Sequence, residues 1–311
     1  MASHITTDAR GVFIVSITPF DGQGAVDAPS LQRLVDFYLS AGVAGITVLG
    51  MMGEAQKMTP QEACEVTRTV IDRVAGRIPV IVGVSSGGLN PMADLARDVM
   101  DMGAAGVMVA PMPSLKTDEA IYDYYAKVAS YLGDTPIVLQ DFPQSTGVHM
   151  SVSLIDRIAR DIPSVKILKH EDCPGLTKIT RLRELAQQSG GRRLSILVGN
   201  GGLYYSQELR RGVDGAMTGF AFPEMLVRVH ELHQTDPDAA EDLYDAYLPL
   251  VRHEQQPGFG LAVRKHLLYR RGVIADPATR APGPRLTDTD IAELDGLWNR
   301  LEGKLAKLEV T

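Results

Sequence analysis

Apolar and polar residues along the chain alternate between two kinds of segment. Short runs rich in Val, Ile and Ala recur between longer stretches in which the apolar residues follow a helical spacing. This order is typical of parallel strands joined by helical crossovers. The runs that predict strands are 11–17, 43–49, 79–84, 105–110, 136–140, 165–169, 194–199 and 213–219.

Eight strand-helix units in series favour an α/β fold of the closed (β/α)8 type, a TIM barrel, over an open sheet. A dinucleotide-binding sheet is disfavoured, because no Gly-x-Gly-x-x-Gly follows the first strand. From Phe222 the strand pattern stops, and a helical pattern continues to Leu308 around a Pro/Gly-rich loop at 275–284. We therefore predict a barrel core over 1–222 and a C-terminal helical region over 223–311 packed on it.

Two helix starts are predicted from capping residues. A helix over 30–40 is expected to have Ser30 as its N-cap. A second helix, over 59–75, begins with Thr59, Pro60 and Glu62, the pattern of a capping box with proline in the first turn.

Composition narrows the partners and the compartment. The 311 residues are 45% hydrophobic and can bury a large core, and a net charge of −7 without a Lys/Arg run argues against nucleic acid as a partner. Cys64 and Cys173 lie far apart with no histidine at ligand spacing, so neither a metal site nor a disulfide is predicted. The chain has neither a signal-peptide core nor an apolar run long enough to cross a membrane, so we expect an unprocessed, soluble, cytoplasmic protein.

Reactive groups of barrel enzymes project from the carboxyl ends of the strands, and Lys169 ends the sixth predicted strand. Alternation over Val165, Ile167 and Lys169 points all three side chains into the barrel. Burial disfavours a charged amine, and the neutral amine is the form that attacks a carbonyl to make an imine. The alternative is a structural ion pair with Glu171 or Asp172, and position alone leaves both interpretations open.

Four motifs give the chain a resemblance to a known family. They are Ser16-Ile17-Thr18-Pro19-Phe20, Gly50-x-x-Gly53-Glu54, Pro143-x-x-x-Gly147 and Ile167-Leu168-Lys169. With these motifs the chain resembles the dihydrodipicolinate synthase and N-acetylneuraminate lyase family from about Gly11 to near Leu301. The resemblance implies a Schiff base between Lys169 and pyruvate or another 2-oxo acid. It also implies a small-molecule substrate, no metal or organic cofactor, and a homo-oligomer, commonly a tetramer.

The sequence departs from the family pattern where the family uses hydroxyl groups. Met51 and Met52 occupy the positions of two threonines, and Gln140 aligns with the tyrosine after strand five. Pro113 aligns with the relay tyrosine after strand four, and the arginine that grips a second carboxylate falls near Ser145. An amide does not titrate, so Gln140 is expected to position the substrate rather than transfer protons, and the synthase activity itself is disfavoured.

Two residues are candidates to replace the missing tyrosine. Histidine is a residue type that can transfer protons at neutral pH, but strand alternation turns His170 away from Lys169 and favours a structural role. Glu171 returns to the lysine face and remains the other candidate. The predicted substrate-binding positions are Gly50, Met51, Met52, Gly53, Asn200 and Thr218. Glu54 is expected to order its loop, and the turn 199–202 is either an anion site or only a tight turn.

The leading prediction is a lyase or aldolase that acts on a 2-oxo acid through an imine on Lys169. A dehydratase or deaminase using the same imine is the close alternative. A non-catalytic barrel that binds a metabolite also stays open, because three relay hydroxyl positions are lost and the fold alone does not confer activity.

Overall fold

Eight parallel strands, each hydrogen-bonded to the next in chain order, close into a barrel in the computed structural model, which describes residues 4–188 and 192–308. The strands are β1 Gly11–Val15, β2 Gly45–Val48, β3 Val80–Gly83, β4 Gly106–Val109, β5 Ile137–Asp141, β6 Val165–His170, β7 Ser195–Val198 and β8 Gly215–Thr218. All eight predicted strands are present, with ends that differ by at most two residues, and the predicted barrel is confirmed.

The α-helices lie outside the strands and continue beyond β8. They are α1 Ala28–Ser40, α2 Pro60–Val74, α3 Leu89–Asp101, α4 Asp118–Leu132, α5 Pro143–Thr146, α6 Val152–Asp161, α7 Leu176–Gln188, α8 Tyr205–Arg210, α9 Pro223–His233, α10 Pro237–Glu254, α11 Gly260–Arg270 and α12 Asp288–Leu308. The helical extension is therefore confirmed, with the predicted loop between α11 and α12. The division into 1–222 and 223–311 stays a prediction, and residues 309–311 at its far end lie outside the described residues.

The caps of the first two helices show how local sequence sets their starts. Ser30 is not the cap of α1, because the carboxylate of Asp27 accepts the Ser30 backbone N–H at 3.0 Å. The cap therefore lies three residues before the predicted one, and the helix begins at Ala28. The capping box of α2 is confirmed, because Thr59 and Glu62 each bind the other's backbone N–H.

Inward-facing side chains fill the barrel with apolar groups. The central cluster is Ile5, Phe13, Val15, Ile81, Ala105, Met108, Val138, Ile167, Leu197 and Met217. Ile5 belongs to the segment before β1, and its backbone N–H donates to the carbonyl of Ala105 at 3.0 Å, at the start of β4. The N-terminal segment therefore closes the end of the barrel opposite the carboxyl ends of the strands.

A register shift between β5 and β6 corrects one prediction. Ile137 pairs with Val165, but Val138 pairs with Ile167, so β6 contains one extra residue at Lys166. Val165 consequently packs in the outer core between strands and helices, whereas Ile167 faces the barrel interior. The prediction that Val165 shares the face of Lys169 is wrong, because the extra residue interrupts the alternation.

The C-terminal helices are tied to the barrel by packing and by buried charge. Leu294 and Leu301 of α12 are buried, and the ring of Trp298 packs edge-on against Phe222 with 5.1 Å between centroids. Arg264 of α11 and Glu254 of α10 form a buried ion pair at 2.5 Å. The Glu254 carboxylate also accepts the backbone N–H of Ala221 at 3.1 Å, just after β8.

Candidate active site

The predicted lysine lies at the carboxyl end of β6. Lys169 is 5% exposed, and its Nζ lies 3.1 Å from Oε2 of Glu171, which is 6% exposed. Alternation in β6 after the extra residue returns Glu171 to the same face as Lys169. A buried amine therefore faces a single buried carboxylate at hydrogen-bonding distance.

Gln140 holds that carboxylate from the neighbouring strand. The register places Gln140 directly opposite Lys169, and its Nε2 donates to Oε2 of Glu171 at 2.8 Å. The same extra residue in β6 that moved Val165 outward sets this pairing. Oε2 of Glu171 thus accepts a hydrogen bond from the Gln140 amide and forms an ion pair with Lys169 at the same time.

The glycine at the end of β7 makes room for the Glu171 side chain. A Cβ at Gly199 would lie 2.2 Å from Cγ and 2.3 Å from Oε1 of Glu171, far inside contact distance. A side chain at this position would therefore displace the carboxylate. The sequence showed a glycine-rich turn here but gave no sign of this contact.

The turn after β7 uses its backbone groups internally. The Gly201 N–H donates to Oγ1 of Thr218 at 2.7 Å, and the Gly202 N–H donates to the Gly199 carbonyl at 3.0 Å. Asn200 Nδ2 donates to the backbone carbonyl of Glu171 at 3.1 Å. Of the two roles left open, these bonds favour the tight turn over an anion site. Thr218 binds the turn, and Asn200 fixes the Glu171 backbone.

His170 lies on the opposite face of β6, as alternation predicts. Its Nδ1 is 3.1 Å from Oδ2 of Asp141 and its Nε2 is 3.2 Å from the Gly175 carbonyl, all within the layer between strands and helices. Lys178 of α7 donates to the same Asp141 oxygen at 2.7 Å. This buried cluster of His170, Asp141 and Lys178 fixes the ends of β5 and β6 from behind. Neither Asp141 nor Lys178 has a pattern in the sequence that indicates this cluster.

The loop after β2 places its two methionines differently. Met52 packs on the apolar interior cluster at the mouth of the barrel. Met51 is exposed, and its Sδ accepts a hydrogen bond from Ser145 Oγ at 3.0 Å. Gly50 precedes the 3-10 turn Met51–Gly53, and the Gly53 carbonyl accepts a bond from Thr18 Oγ1 at 2.8 Å.

Glu54 anchors this loop to the C-terminal part of the chain. It is buried, and its carboxylate lies 2.7 Å from Lys265 Nζ and 2.7 Å from Lys57 Nζ. It also accepts the backbone N–H of Arg280 at 3.1 Å, so the predicted ordering role holds. Burial lowers the pKa of Lys265, while the Glu54 carboxylate opposes that shift. The two lysine partners had no signal in the sequence.

A cavity of about 560 Å³ opens beside these residues at the carboxyl ends of β2 to β5. It reaches the site through Gln140, the residue that binds Glu171. Among residues 4–188 and 192–308, no cluster of three or more His, Cys, Asp or Glu side chains is arranged to hold a metal ion. Within the same residues no helix is both long and apolar enough to span a membrane.

A closed α/β barrel with a buried amine, a carboxylate and a large cavity at the carboxyl ends of its strands defines an enzyme of the barrel class. The chain belongs to the dihydrodipicolinate synthetase family, whose model matches residues 8–297. The family resemblance found in the sequence is thereby confirmed. Members of this family are lyases or dehydratases, and the chain is accordingly a lyase.

Individual relatives match over nearly their full length. The L-2-keto-3-deoxyarabonate dehydratase of Azospirillum brasilense is 34% identical over 307 residues, covering 97% of both chains. The 4-hydroxy-tetrahydrodipicolinate synthase of Porphyromonas gingivalis is 30% identical over 305 residues, covering 94% of this chain and 97% of the relative. The crystal structure of a dihydrodipicolinate synthase from Rhodopseudomonas palustris has a TM-score of 0.94 and 48% identity, covering 96% of this chain and 100% of that one.

Proposed function

We propose that this lyase forms an imine between Lys169 and the carbonyl carbon of a 2-oxo acid and then cleaves a carbon–carbon bond of the aldol type. The observation that carries the proposal is the 3.1 Å approach of Lys169 Nζ to Glu171 Oε2 at the carboxyl end of a barrel strand. A purely structural ion pair is disfavoured at this place, because the carboxyl ends of the strands are where barrel enzymes carry their reactive groups.

Glu171 supplies the proton transfers in this proposal. Its carboxylate accepts a proton from the Lys169 ammonium, and the neutral amine attacks C2 of the substrate. Glu171 then returns the proton to the hydroxyl group of the carbinolamine, which leaves as water. The resulting iminium withdraws electrons from the bond to be broken, so the reaction needs no metal or organic cofactor. Gln140 keeps Glu171 in place without titrating.

The substrate carboxylate is assigned to the loop after β2. The turn Met51–Gly53 begins at Gly50, and the first N–H groups of such a turn have no carbonyl partner within it. In the proposal these N–H groups bind the substrate carboxylate, in place of the threonine hydroxyl groups that the family carries at the positions of Met51 and Met52. Asn200 and Thr218 support the site from beneath through Glu171 and the turn after β7.

Dehydration through the same imine is the second candidate, favoured by the 34% identity to a dehydratase. In that reaction the iminium promotes loss of a proton from C3 and of the C4 hydroxyl group as water. Product analysis separates the two reactions, because only bond cleavage releases pyruvate. We also propose that the protein is a soluble homo-oligomer in the cytoplasm.

Trapping of the imine tests the proposed function. We expect borohydride, added with pyruvate, to attach one reduced pyruvate to the protein, and peptide mass spectrometry to locate it on Lys169. Lys169→Arg should abolish the label, whereas Lys166→Arg, on the same strand and outside the site, should retain it. A wild-type protein without any label from pyruvate or larger 2-oxo acids, beside a control aldolase that labels, would favour the non-catalytic barrel.

A further inference from the structure

The wall of the cavity beside Gln140 carries no charge. Among the described residues that line it there is no Asp, Glu, Lys, Arg or His. Its apolar wall includes Met51, Met58, Met108, Met112 and Phe142. A volume of about 560 Å³ falls in the range of pockets that enclose ligands much larger than a three-carbon acid. Space beyond the reacting carbonyl is therefore available and is mostly apolar.

A second carboxylate on the substrate fits this wall poorly. A carboxylate taken out of water needs a cationic partner or several donors, and burying it without them is strongly unfavourable. By the family resemblance, the arginine that would serve that purpose falls near Ser145, whose hydroxyl group donates to Met51 Sδ at 3.0 Å. The cavity wall therefore lacks the cation that a dicarboxylic substrate requires.

A polyhydroxylated chain gains less from this wall, because two of its polar side chains already bind other groups of the protein. Ser85 Oγ accepts the Ala110 backbone N–H at 2.8 Å. Gln140 Nε2 donates to Glu171 at 2.8 Å. Methionine side chains, by contrast, adapt to irregular apolar groups and make favourable contacts with aromatic rings.

We propose that the cavity receives an uncharged, apolar substituent of the substrate, an aromatic ring or a branched aliphatic group carried on C4 of a 4-hydroxy-2-oxo acid. This inference rests on the proposed function and names its substrate class. The reaction is cleavage to pyruvate and an apolar aldehyde.

The cleavage step balances without any further reactant. In the iminium of Lys169, Glu171 takes the proton of the C4 hydroxyl group and the C3–C4 bond breaks. Its electron pair forms the enamine, and C4 leaves as the aldehyde. Protonation of C3 and addition of one water molecule then release pyruvate and restore the Lys169 amine.

The test compares two substrates that differ only in the group meeting the cavity. The first is 4-hydroxy-2-oxo-4-phenylbutanoate, which yields benzaldehyde, and the second is 4-hydroxy-2-oxoglutarate, which yields glyoxylate. Pyruvate release is measured for both with the full-length protein. We expect kcat/KM for the phenyl substrate to exceed that for the dicarboxylate by about tenfold or more, the discrimination typical of an apolar pocket.

Variants of the wall sharpen the comparison. Met112→Arg places a cation in the cavity and should lower kcat/KM for the phenyl substrate by about tenfold while raising that for the dicarboxylate. Pro113→Arg, at an exposed lining position, should act in the same direction and replaces the first variant if that one does not fold. Met102→Arg, at the C-terminal end of α3 and away from the cavity, is the matched control and should change neither rate.

The outcomes separate this inference from the proposed function. Preference for the phenyl substrate, reversed by the wall variants, supports the inference. The inference is overturned, and the imine on Lys169 is retained, in two cases in which pyruvate labels Lys169. In the first the enzyme prefers the dicarboxylate, and in the second it dehydrates a 2-oxo-3-deoxy sugar acid faster than it cleaves the phenyl substrate. Absence of labelling by any oxo acid overturns both.

Discussion

At the scale of single residues, the site consists of one acid held against one amine. Glu171 Oε2 lies 3.1 Å from Lys169 Nζ and 2.8 Å from Gln140 Nε2. Strand alternation predicted that Glu171 and not His170 would share the lysine face. Gln140 replaces the tyrosine of the family, but the site still contains an acidic group, because the Glu171 carboxylate lies beside the Gln140 amide.

Glu171→Gln should lower kcat by about 10²- to 10⁴-fold, the usual contribution of a general acid-base group, with a smaller change in KM. Steady-state rates from pH 5 to 9 provide the measurement.

His170→Asn is the matched control for that experiment, because His170 lies next to Glu171 in the chain but faces Asp141. Its kcat should stay within a few-fold of the wild type. Wild-type rates in Glu171→Gln would remove Glu171 from the mechanism.

Glu208 on α8 makes stability depend on pH. Its Oε2 has no hydrogen-bond partner among the described residues, and burial raises its pKa to about 8. Between pH 4.5, its ordinary pKa, and pH 8 the folded chain keeps a proton that the unfolded chain releases. The free energy of unfolding therefore falls by about 1.4 kcal/mol per pH unit as pH rises through this window.

Urea unfolding across this pH range tests the contribution of Glu208. Glu208→Gln should flatten the pH dependence and be more stable than the wild type at pH 9. Glu293→Gln, at an exposed position of α12, should keep the wild-type slope. An unchanged slope in Glu208→Gln would assign the dependence to other groups.

At the scale of elements, the loop after β2 and helix α11 are held together by charge. Glu54 and Lys265 are 211 positions apart in the chain, and their side chains meet at 2.7 Å in a buried setting. Local pattern predicts strands, helices and caps, but a pair at this separation depends on the closed fold. This is why sequence reasoning assigned Glu54 a loop-ordering role without finding its lysine partners.

Lys265→Met should lower the free energy of unfolding by about 3 kcal/mol, because it leaves the Glu54 carboxylate buried with less compensation. Adding Glu54→Gln should restore part of the loss, since the uncompensated charge is then removed. Urea unfolding at fixed protein concentration measures both.

Arg97→Ala, which breaks the exposed ion pair with Asp94, is the control and should lower the free energy of unfolding by less than about 1 kcal/mol. A Lys265→Met protein as stable as the Arg97→Ala protein would show that the buried pair contributes little to stability.

At the scale of the whole molecule, the repeated strand-helix unit was the feature that made the fold predictable from the sequence. Eight strand-helix units in order predicted the barrel, because each parallel strand needs a crossover and the series can close. The extra residue in β6 was not predictable, since Val165 and Ile167 are both apolar and suit either face. The cavity also escaped prediction, because its wall comes from four different strand-loop junctions.

Barrel and C-terminal helices should unfold as one cooperative unit. Trp298, the only tryptophan in the chain, packs on Phe222 near the end of the barrel sequence. Its fluorescence reports on α12, whereas far-ultraviolet circular dichroism reports on all elements. The two thermal transitions should therefore coincide. An earlier fluorescence transition would indicate that the predicted region 223–311 unfolds separately.

The missing side chain at position 199 has a consequence for mutational tolerance. Even one methyl group there would push the Glu171 carboxylate aside, since the two would lie about 2 Å apart. A saturation scan scored by activity would rank Gly199 with the residues that perform the chemistry, although it has no functional group. We therefore expect substitutions at position 199 to be tolerated only where the side chain at position 171 is shortened as well.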